Sequence, residues 1–423
     1  MKKRAGVGAE RQEPMMLSQL MLPLLAGIVA TKNGLLEFVH GVGMRAVDEL
    51  LLQDAARLVG PKGRHQPGRT GNHWGRAPAQ LTLGGRRVSV SKPRVRGGGR
   101  ELALPAFEQL RAADPLPERV LQQILLGVST RGYDRSIEAA PPRTRSYGTS
   151  KSAASRHVVA RTEARMREHL AKRLDGLDLV AMFVDGIEVG GHSVIAALGV
   201  VADGAKVPLG LWVGSTENAT VCTALLQDLV ARGLRLDERI LCVIDGGKGL
   251  RKALADVLGD RAVVQRCQVH KLRNVRDHLP ETRRPYVARQ MRDAYRSTTA
   301  TTARRRLQQL VSWLESNGED GAAASLREGL EETLTVLKLG LPATLCRTFS
   351  TTNAIENMNG TIRRVTRNVK RWRGGGMVKR WVALGVCEAH RKFRRVKGHR
   401  DFAILVRALR GAPKPVDSHV EAA

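Results

Sequence analysis

The spacing of apolar residues changes several times along this chain, and each change marks a change of element. Up to about Gly60, LLEFVH and AVDELLLQDAARLV repeat apolar residues at i, i+3 and i+4, which predicts helices. From Gln80 to Pro105 apolar and polar residues alternate around Gly84-Gly85 and Gly97-Gly98-Gly99, which predicts a β-ribbon with glycine turns. Helical spacing returns over Leu116–Ala140 and breaks at Gly127, which leaves a second short helix with Ser129 as its N-cap. After Pro141-Pro142, Ser150 to Leu174 reads as one long helix. That order suits a helix-turn-helix whose last helix enters a major groove by its N-terminal end, where Ser155 and Arg156 sit. An ordinary helical bundle has the same pattern.

The middle of the chain is patterned differently. Leu177–Ile187 (LDLVAMFVDGI) is nearly continuously apolar and reads as a central strand, interrupted by Asp185. Ser193–Val201 and Lys206–Val213 follow across Gly190-Gly191 and Asp203-Gly204, which predicts an antiparallel meander. A helix over Asn218–Arg232, a strand over Arg239–Ile244 ending at Asp245, a helix over Leu250–Leu258 and a strand near Ala262–Gln265 complete the order β-β-β-α-β-α-β. The helix crossover makes the fourth strand parallel to one of the first three. If it lies beside the first, Asp185 and Asp245 meet.

Charge sharpens this picture. The 423 residues hold 70 Lys+Arg against 40 Asp+Glu, a formal charge of +30 that calls for a polyanionic partner. Pro61–Arg100 carries ten basic residues and no acidic one, and Thr361–Arg400 carries fourteen basic and one acidic, Glu388. Leu177–Asp260 has seven basic and eleven acidic residues, so the strand-rich block is mildly acidic within a basic chain. Both basic runs interleave tryptophan and glycine, which favours phosphate-backbone contact over a plain solvated face. Arg86, Arg87, Arg94 and Arg96 are the candidates in the ribbon, and Arg363, Arg364, Arg367, Lys370 and Arg371 in the later run.

Five scattered cysteines exclude a secreted disulfide framework and a paired CxxC zinc site, which points to a reducing, cytoplasmic location, nucleoid-associated when bound to DNA. Met15–Ala30 is too short to span a bilayer and reads as a packed helix, not a signal sequence or membrane anchor.

Three carboxylates carry the candidate chemistry. Asp185 in an apolar strand must be paired, bind a cation, or close the strand in an Asp-Gly turn. Asp245, before Gly246-Gly247, reads either as a second such ligand or as an ordinary Asp-Gly-Gly turn after a strand. Glu356 lies three residues after Asn353, so a capping box is the structural reading. On the same predicted helix face as Glu356 lie Asn359, Arg363 and Arg367, the arrangement of a metal ligand beside phosphate clamps. Hard oxygen ligands favour Mg²⁺ or Mn²⁺, and two such ions can drive an in-line phosphodiester displacement. Gly246-Gly247-Lys248-Gly249 lacks the spacing of an ATP-binding loop.

Four segments together, VDGI at Asp185, IDGGKGL at Asp245, QRCQVHKLRNV with Cys267 and His270, and TTNAIENMNGTIRRVTRNVKRW at Glu356, carry a resemblance at family level. From about Leu35 to Leu409 it resembles the mutator-type DDE transposases of bacterial insertion sequences, the insertion sequence 256 group. The resemblance implies a ribonuclease H-like α/β core with Asp185, Asp245 and Glu356 as catalytic and metal-binding triad, and an all-helical insertion before the glutamate. It also implies two Mg²⁺ or Mn²⁺ ions, and a copy-out route through a circular intermediate. Cys267 and His270 match the family's Cys-x-x-His signature, and with Asn359 they are accessory candidates. A zinc site there would need Cys242 and His278 as well. Gly374-Gly375-Gly376 departs from the commonest family form.

The chain is thereby read as multidomain. A helical region (1–75) and a basic β-ribbon (76–115) precede a helix-turn-helix-like DNA-binding domain (116–175). The catalytic core (176–278 and 350–410) is split by the insertion (279–349), and a flexible tail (411–423) follows. The expected partner is double-stranded DNA, both terminal inverted repeats and target, bound by a homodimer on paired ends. The competing readings are a DNA-binding regulator or domesticated relative without transposition activity, and a stand-alone nuclease or junction resolvase; the latter would leave the N-terminal basic ribbon unexplained.

Overall fold

The computed structural model describes residues 32–411 apart from 65–67, 84, 138–144, 215 and 217. Met15–Ala30, Pro141-Pro142 and the tail beyond 411 lie outside the described residues. The chain forms two compact units, divided between Val158 and Val159.

In the first unit, helix α1 (Lys32–Val59) packs on a four-stranded antiparallel sheet built on a long hairpin, β1 (Gly71–Leu83) and β2 (Arg86–Gly97), with β3 (Arg100–Leu102) and β4 (Ser146–Tyr147) both on β2. Leu51, Ala55 and Val59 of α1 meet Leu81, Val90 and Val95 of the hairpin, and Leu104 and Phe107 close the cluster at α2 (Pro105–Ala112). Strand β1 starts before the predicted Gln80 because Gly71, Gly75 and Pro78, with a register shift between His73 and Arg76, hide its alternation. Helix α3 (Leu116–Leu125) forms as expected, but the second short helix does not form over the described residues 129–137. There the Gly132 N–H donates to Ser129 Oγ at 3.0 Å in a turn, and a single 3₁₀ turn covers Asp134–Ser136. The reason is tertiary: Tyr133 is buried with its hydroxyl donating to Gly85 O, and Arg86 reaches Asp134, so this stretch is pinned to the ribbon instead of coiling on itself. Helix α4 (Lys151–Ala171) follows, with Ser155 and Arg156 exposed near its start.

The second unit is a mixed five-stranded sheet between helical layers. Strands β5 (Leu179–Val189), β6 (His192–Val201) and β7 (Lys206–Gly214) form the antiparallel meander; α5 (Ala219–Ala231) leads to β8 (Ile240–Ile244), and α6 (Lys248–Leu258) to β9 (Ala262–Arg266). The spatial order is β7-β6-β5-β8-β9, with β8 parallel to both β5 and β9. The predicted element order is therefore present, and the fourth strand lies beside the first. β5 and β8 are buried on both faces almost throughout, as their unbroken apolar runs require. One face packs Met182, Val184 and Ile244 against Leu225, Leu229, Leu250 and Leu254 of α5 and α6.

The opposite face packs Phe183, Val194 and Val243 against helices that follow much later in the chain. These are α12 (Ala343–Phe349), α13 (Asn353–Thr366), α14 (Gly375–His390) and α15 (Phe402–Arg410). Phe183 and Phe349 stack with ring centroids 5.7 Å apart.

Between β9 and α12 in the chain come α7 (Gln268–Asp277), then a helical body of α8 (Arg284–Tyr295), α9 (Ala300–Ser316) and α10 (Asp320–Arg327), extended by a 3₁₀ turn and α11 (Thr335–Lys338). Its own core runs from Val275 to Leu334, while Leu345 and Phe349 belong to the sheet's core. Lys271 on α7 is buried, and its ammonium donates to Ser325 O and Glu328 O at 2.7 and 2.6 Å. Among the described residues no helix is long and apolar enough to cross a membrane.

Candidate active site

The parallel pairing of β5 and β8 ends at Val184 opposite Ile244, so Asp185 and Asp245 are the next residue on each of two neighbouring strands. Helix α13 packs over the same face and brings Glu356 to them. All three carboxylates line one cleft of about 650 Å³, together with His270, Arg273, Asn353, Asn357 and Arg363. The three candidates, 171 positions apart at their extremes, are thus assembled by sheet register and one helix.

Asp185 is 9% exposed, and Asn359 Nδ2 donates to its Oδ2 at 2.9 Å. Burial, then the charges of Asp245 and Glu356, raises its pKa to about 7, against a smaller opposing effect of His270. Asn359 is itself buried, and its Oδ1 has no hydrogen-bond partner. Asp245 also makes the Asx turn that its sequence allowed: Gly247 N–H donates to Oδ1 at 2.9 Å, with Gly246 at φ +105°. Turn and site are therefore compatible readings of one residue.

Glu356 does not form the expected capping box. Thr352, not Asn353, precedes the helix, with no side-chain cap; its buried hydroxyl instead donates to Glu356 Oε1 at 2.7 Å. His270 Nδ1 lies 3.4 Å from that hydroxyl and its Nε2 4.0 Å from Glu356 Oε1, while Cys267 Sγ lies 3.5 Å from Thr352 Oγ1. One consistent set of protons has His270 Nδ1–H donating to Thr352 and Thr352 donating to Glu356. Burial alone would raise the Cys267 thiol, but the hydrogen bonds of His270 and Thr352 outweigh it and hold the pKa below the ordinary value. The bond to Cys267 first, then the nearby aspartates, raises His270. Cys242 is wholly buried in β8, with its thiol pushed up to about 12, and His278 lines a different cavity from His270, so the four residues a zinc site would need are not brought together.

Among the described residues no three His, Cys, Asp or Glu side chains stand together as a ready-made ion cage. The carboxylates border an open cleft instead. Their chemistry fits a hard divalent cation: all donors are oxygens, and the like charges that raise Asp185 are what a cation would neutralise.

The basic candidates divide. Arg363, Arg364, Arg367, Lys370 and Arg371 are all exposed, their side chains make no hydrogen bond or ion pair among the described residues, and they lie on α13 or just beyond it. Trp372 behind them packs on Gly190 of the β5–β6 turn, whose φ of +60° and lack of a Cβ make room for the indole. In the first unit, Arg86 pairs with Asp134, Arg87 with Asp114 at 3.7 Å and Arg94 with Glu101 at 2.9 Å. Arg96 lies over the exposed Trp74 ring, 4.5 Å from its centroid. Thr352 and Arg273 were not singled out by sequence reasoning. Arg273 is i+3 from His270 on one helix and could have been found from spacing; nothing in the sequence separates Thr352 from Thr351 beside it.

Comparison with known proteins adds a family. A family model described as Transposase, Mutator family, matches residues 25–396. The chain is 25% identical over 413 residues to the transposase for insertion sequence element ISRM3 of Rhizobium meliloti, covering 93% of this chain and 98% of that one. It is 26% identical over 355 residues to the transposase for insertion sequence element IS905 of Lactococcus lactis, 81% and 86% of the two chains. With the transposase for IS256 in transposon Tn4001 of Staphylococcus aureus it shares 24% over 313 residues, 72% and 77%.

Proposed function

Since the chain belongs to the Mutator family of transposases and is by that membership a DNA transposase of insertion-sequence type, we propose that it cuts and joins DNA at the cleft of Asp185, Asp245 and Glu356. The observation that carries this reading is the convergence of three carboxylates from two parallel strand ends and a helix, beside arginines that no carboxylate neutralises. The sheet order β7-β6-β5-β8-β9 with helices on both faces supports a ribonuclease H-like core. The helical body between α7 and α12 is the insertion.

Asp185, Asp245 and Glu356 would hold two Mg²⁺ or Mn²⁺ ions, which supply an activated water or 3′-hydroxyl and stabilise the leaving oxygen. Asn359 fixes one oxygen of Asp185 by its amide. Thr352, backed by His270, fixes Glu356 through Oε1 and leaves Oε2 as the oxygen that would face an ion. Arg363 and Arg273 present cations to the scissile strand, and Arg364, Arg367, Lys370 and Arg371 carry the basic surface onward along duplex DNA. The first unit, with the ribbon and the exposed start of α4, reads the terminal inverted repeats, and a homodimer pairs the two ends.

The test is end cleavage and joining with duplexes taken from the DNA flanking the coding region, in Mn²⁺. Wild type is expected to nick at the 3′ end and join it to a second duplex. A protein that binds these ends but never nicks them would show a DNA-binding regulator instead.

A further inference from the structure

A second cavity, of about 770 Å³, shares its wall with the catalytic cleft. On α7, Gln268 and Val269 line it while their neighbours Cys267 and His270 belong to the Thr352–Glu356 network; before α13, Thr351 lines it while Thr352 holds Glu356. Its floor is apolar, formed by Leu272, Leu337 and Leu341, and Val269 at its edge is 41% exposed. Three hydroxyl oxygens of its lining residues, Tyr295 Oη, Ser297 Oγ and Thr351 Oγ1, are shielded from solvent and have no hydrogen-bond partner. Three exposed arginines, Arg292, Arg296 and Arg347, stand around it, and none makes a hydrogen bond or ion pair among the described residues.

Each of these features is costly or idle in the protein alone. A shielded hydroxyl without a partner forfeits a hydrogen bond it had in water. An apolar hollow beside a water-filled cleft exposes surface that folding would otherwise bury. Three unpaired guanidinium groups around one opening repel one another. A ligand with a flat apolar face, hydrogen-bonding edges and an anionic tail relieves all three at once, and that combination is a nucleotide. We propose, on the reading of the cleft given above, that this cavity receives one unstacked nucleotide of the DNA strand held at the carboxylates. The base lies on the Leu272–Leu337–Leu341 lining, the Ser297 and Thr351 hydroxyls turn outward to its edge, and the arginines hold the flanking phosphates. Enzymes that act on DNA commonly draw a base out of the stack into such a pocket and read it by its edge.

The experiment places 2-aminopurine, which brightens when unstacked, at each position around the cleaved phosphate of the element-end duplex in turn. Full-length wild type is expected to raise emission severalfold at one position and to shield that base from acrylamide quenching. Ala343→Trp, at the exposed start of α12 on the cavity's lining, should abolish both effects while binding the duplex about as tightly. The triple change Arg292→Ser, Arg296→Ser and Arg347→Ser should weaken them without filling the hollow. Normal nicking with no bright position would overturn the inference and leave the activity standing; so would a bright, shielded base that persists in both variants. A wild type that neither nicks nor joins in Mn²⁺ would overturn the reading of the cleft and this inference with it.

Discussion

The two basic regions of the molecule look alike in sequence and are built in opposite ways. In the ribbon, Arg86, Arg87 and Arg94 each have a carboxylate, and Arg96 has the Trp74 ring. On α13 and just beyond it, Arg363, Arg364, Arg367, Lys370 and Arg371 have none, although Asp185, Asp245 and Glu356 stand close by. An arginine already bonded to a carboxylate offers less to a phosphate and more to its own fold. A basic run therefore says where charge is, and only the partners say whether that charge is available to DNA. By the same logic the acids differ: Asp114, Asp134 and Glu101 tie arginines down, whereas the cleft carboxylates pair with no arginine or lysine among the described residues.

The sharpest way to break this contrast is to remove acids from each side. Asp185→Ala, Asp245→Ala or Glu356→Ala should reduce nicking and joining to background while end binding is kept or slightly tightened, since each removes negative charge near DNA. Strand transfer retained by Asp245→Ala would sink the triad. Next in size, neutralising Arg363, Arg364 and Arg367 together should flatten the slope of log affinity against log salt by up to about 3, at about 0.9 per lost phosphate contact. It should also slow strand transfer, with little change in preference for end over random duplex. An unchanged slope across a salt titration would show that these side chains do not touch phosphate.

The acids of the cleft also leave a mark on stability. With its pKa raised from 3.8 to about 7, Asp185 keeps a proton in the folded state that the unfolded chain has lost. The ion-free protein should therefore lose stability as pH rises from about 4 to 7, by up to about 1.4 kcal/mol per pH unit from this group. His169, half-buried with its pKa lowered to about 4 by desolvation and the charge of Arg232, acts oppositely and costs stability as pH falls below 6.5. Comparing Tm of wild type and Asp185→Asn in a chelator isolates the first effect: the variant's advantage should grow toward pH 7 and shrink when Mn²⁺ is added. A gap that does not change with pH would mean Asp185 is not crowded by burial and its neighbours' charge. The smallest effect belongs to the ribbon. Arg94→Ala should cost less than about 1 kcal/mol by denaturant melt, as partly exposed pairs do, and should change the salt slope by well under 1. A drop as large as that of the α13 arginines would erase the contrast.

How much of this was legible beforehand follows from what each signal depends on. The strands of the core were readable because a buried parallel strand must be apolar throughout, and Asp185 stood out against that background. The meeting of Asp185 with Asp245 required only that the fourth strand lie beside the first, which β8 does. The second helix after Gly127 failed because its fate was set by Tyr133 and Asp134 gripping the ribbon, contacts invisible to periodicity. Glu356 has the spacing of a capping box from Asn353, yet its partner is the hydroxyl of Thr352, the cap residue itself, which packs against Cys267 and His270.

Lys271 gives the helical body a mechanical role. It follows His270 directly, and its buried ammonium is bolted to two carbonyls at the end of α10, so one turn of α7 is clamped to that body while its neighbour faces the cleft. Body and cleft wall are therefore one piece at this point, so the Thr352–Glu356 contact beside His270 is braced from outside the cleft.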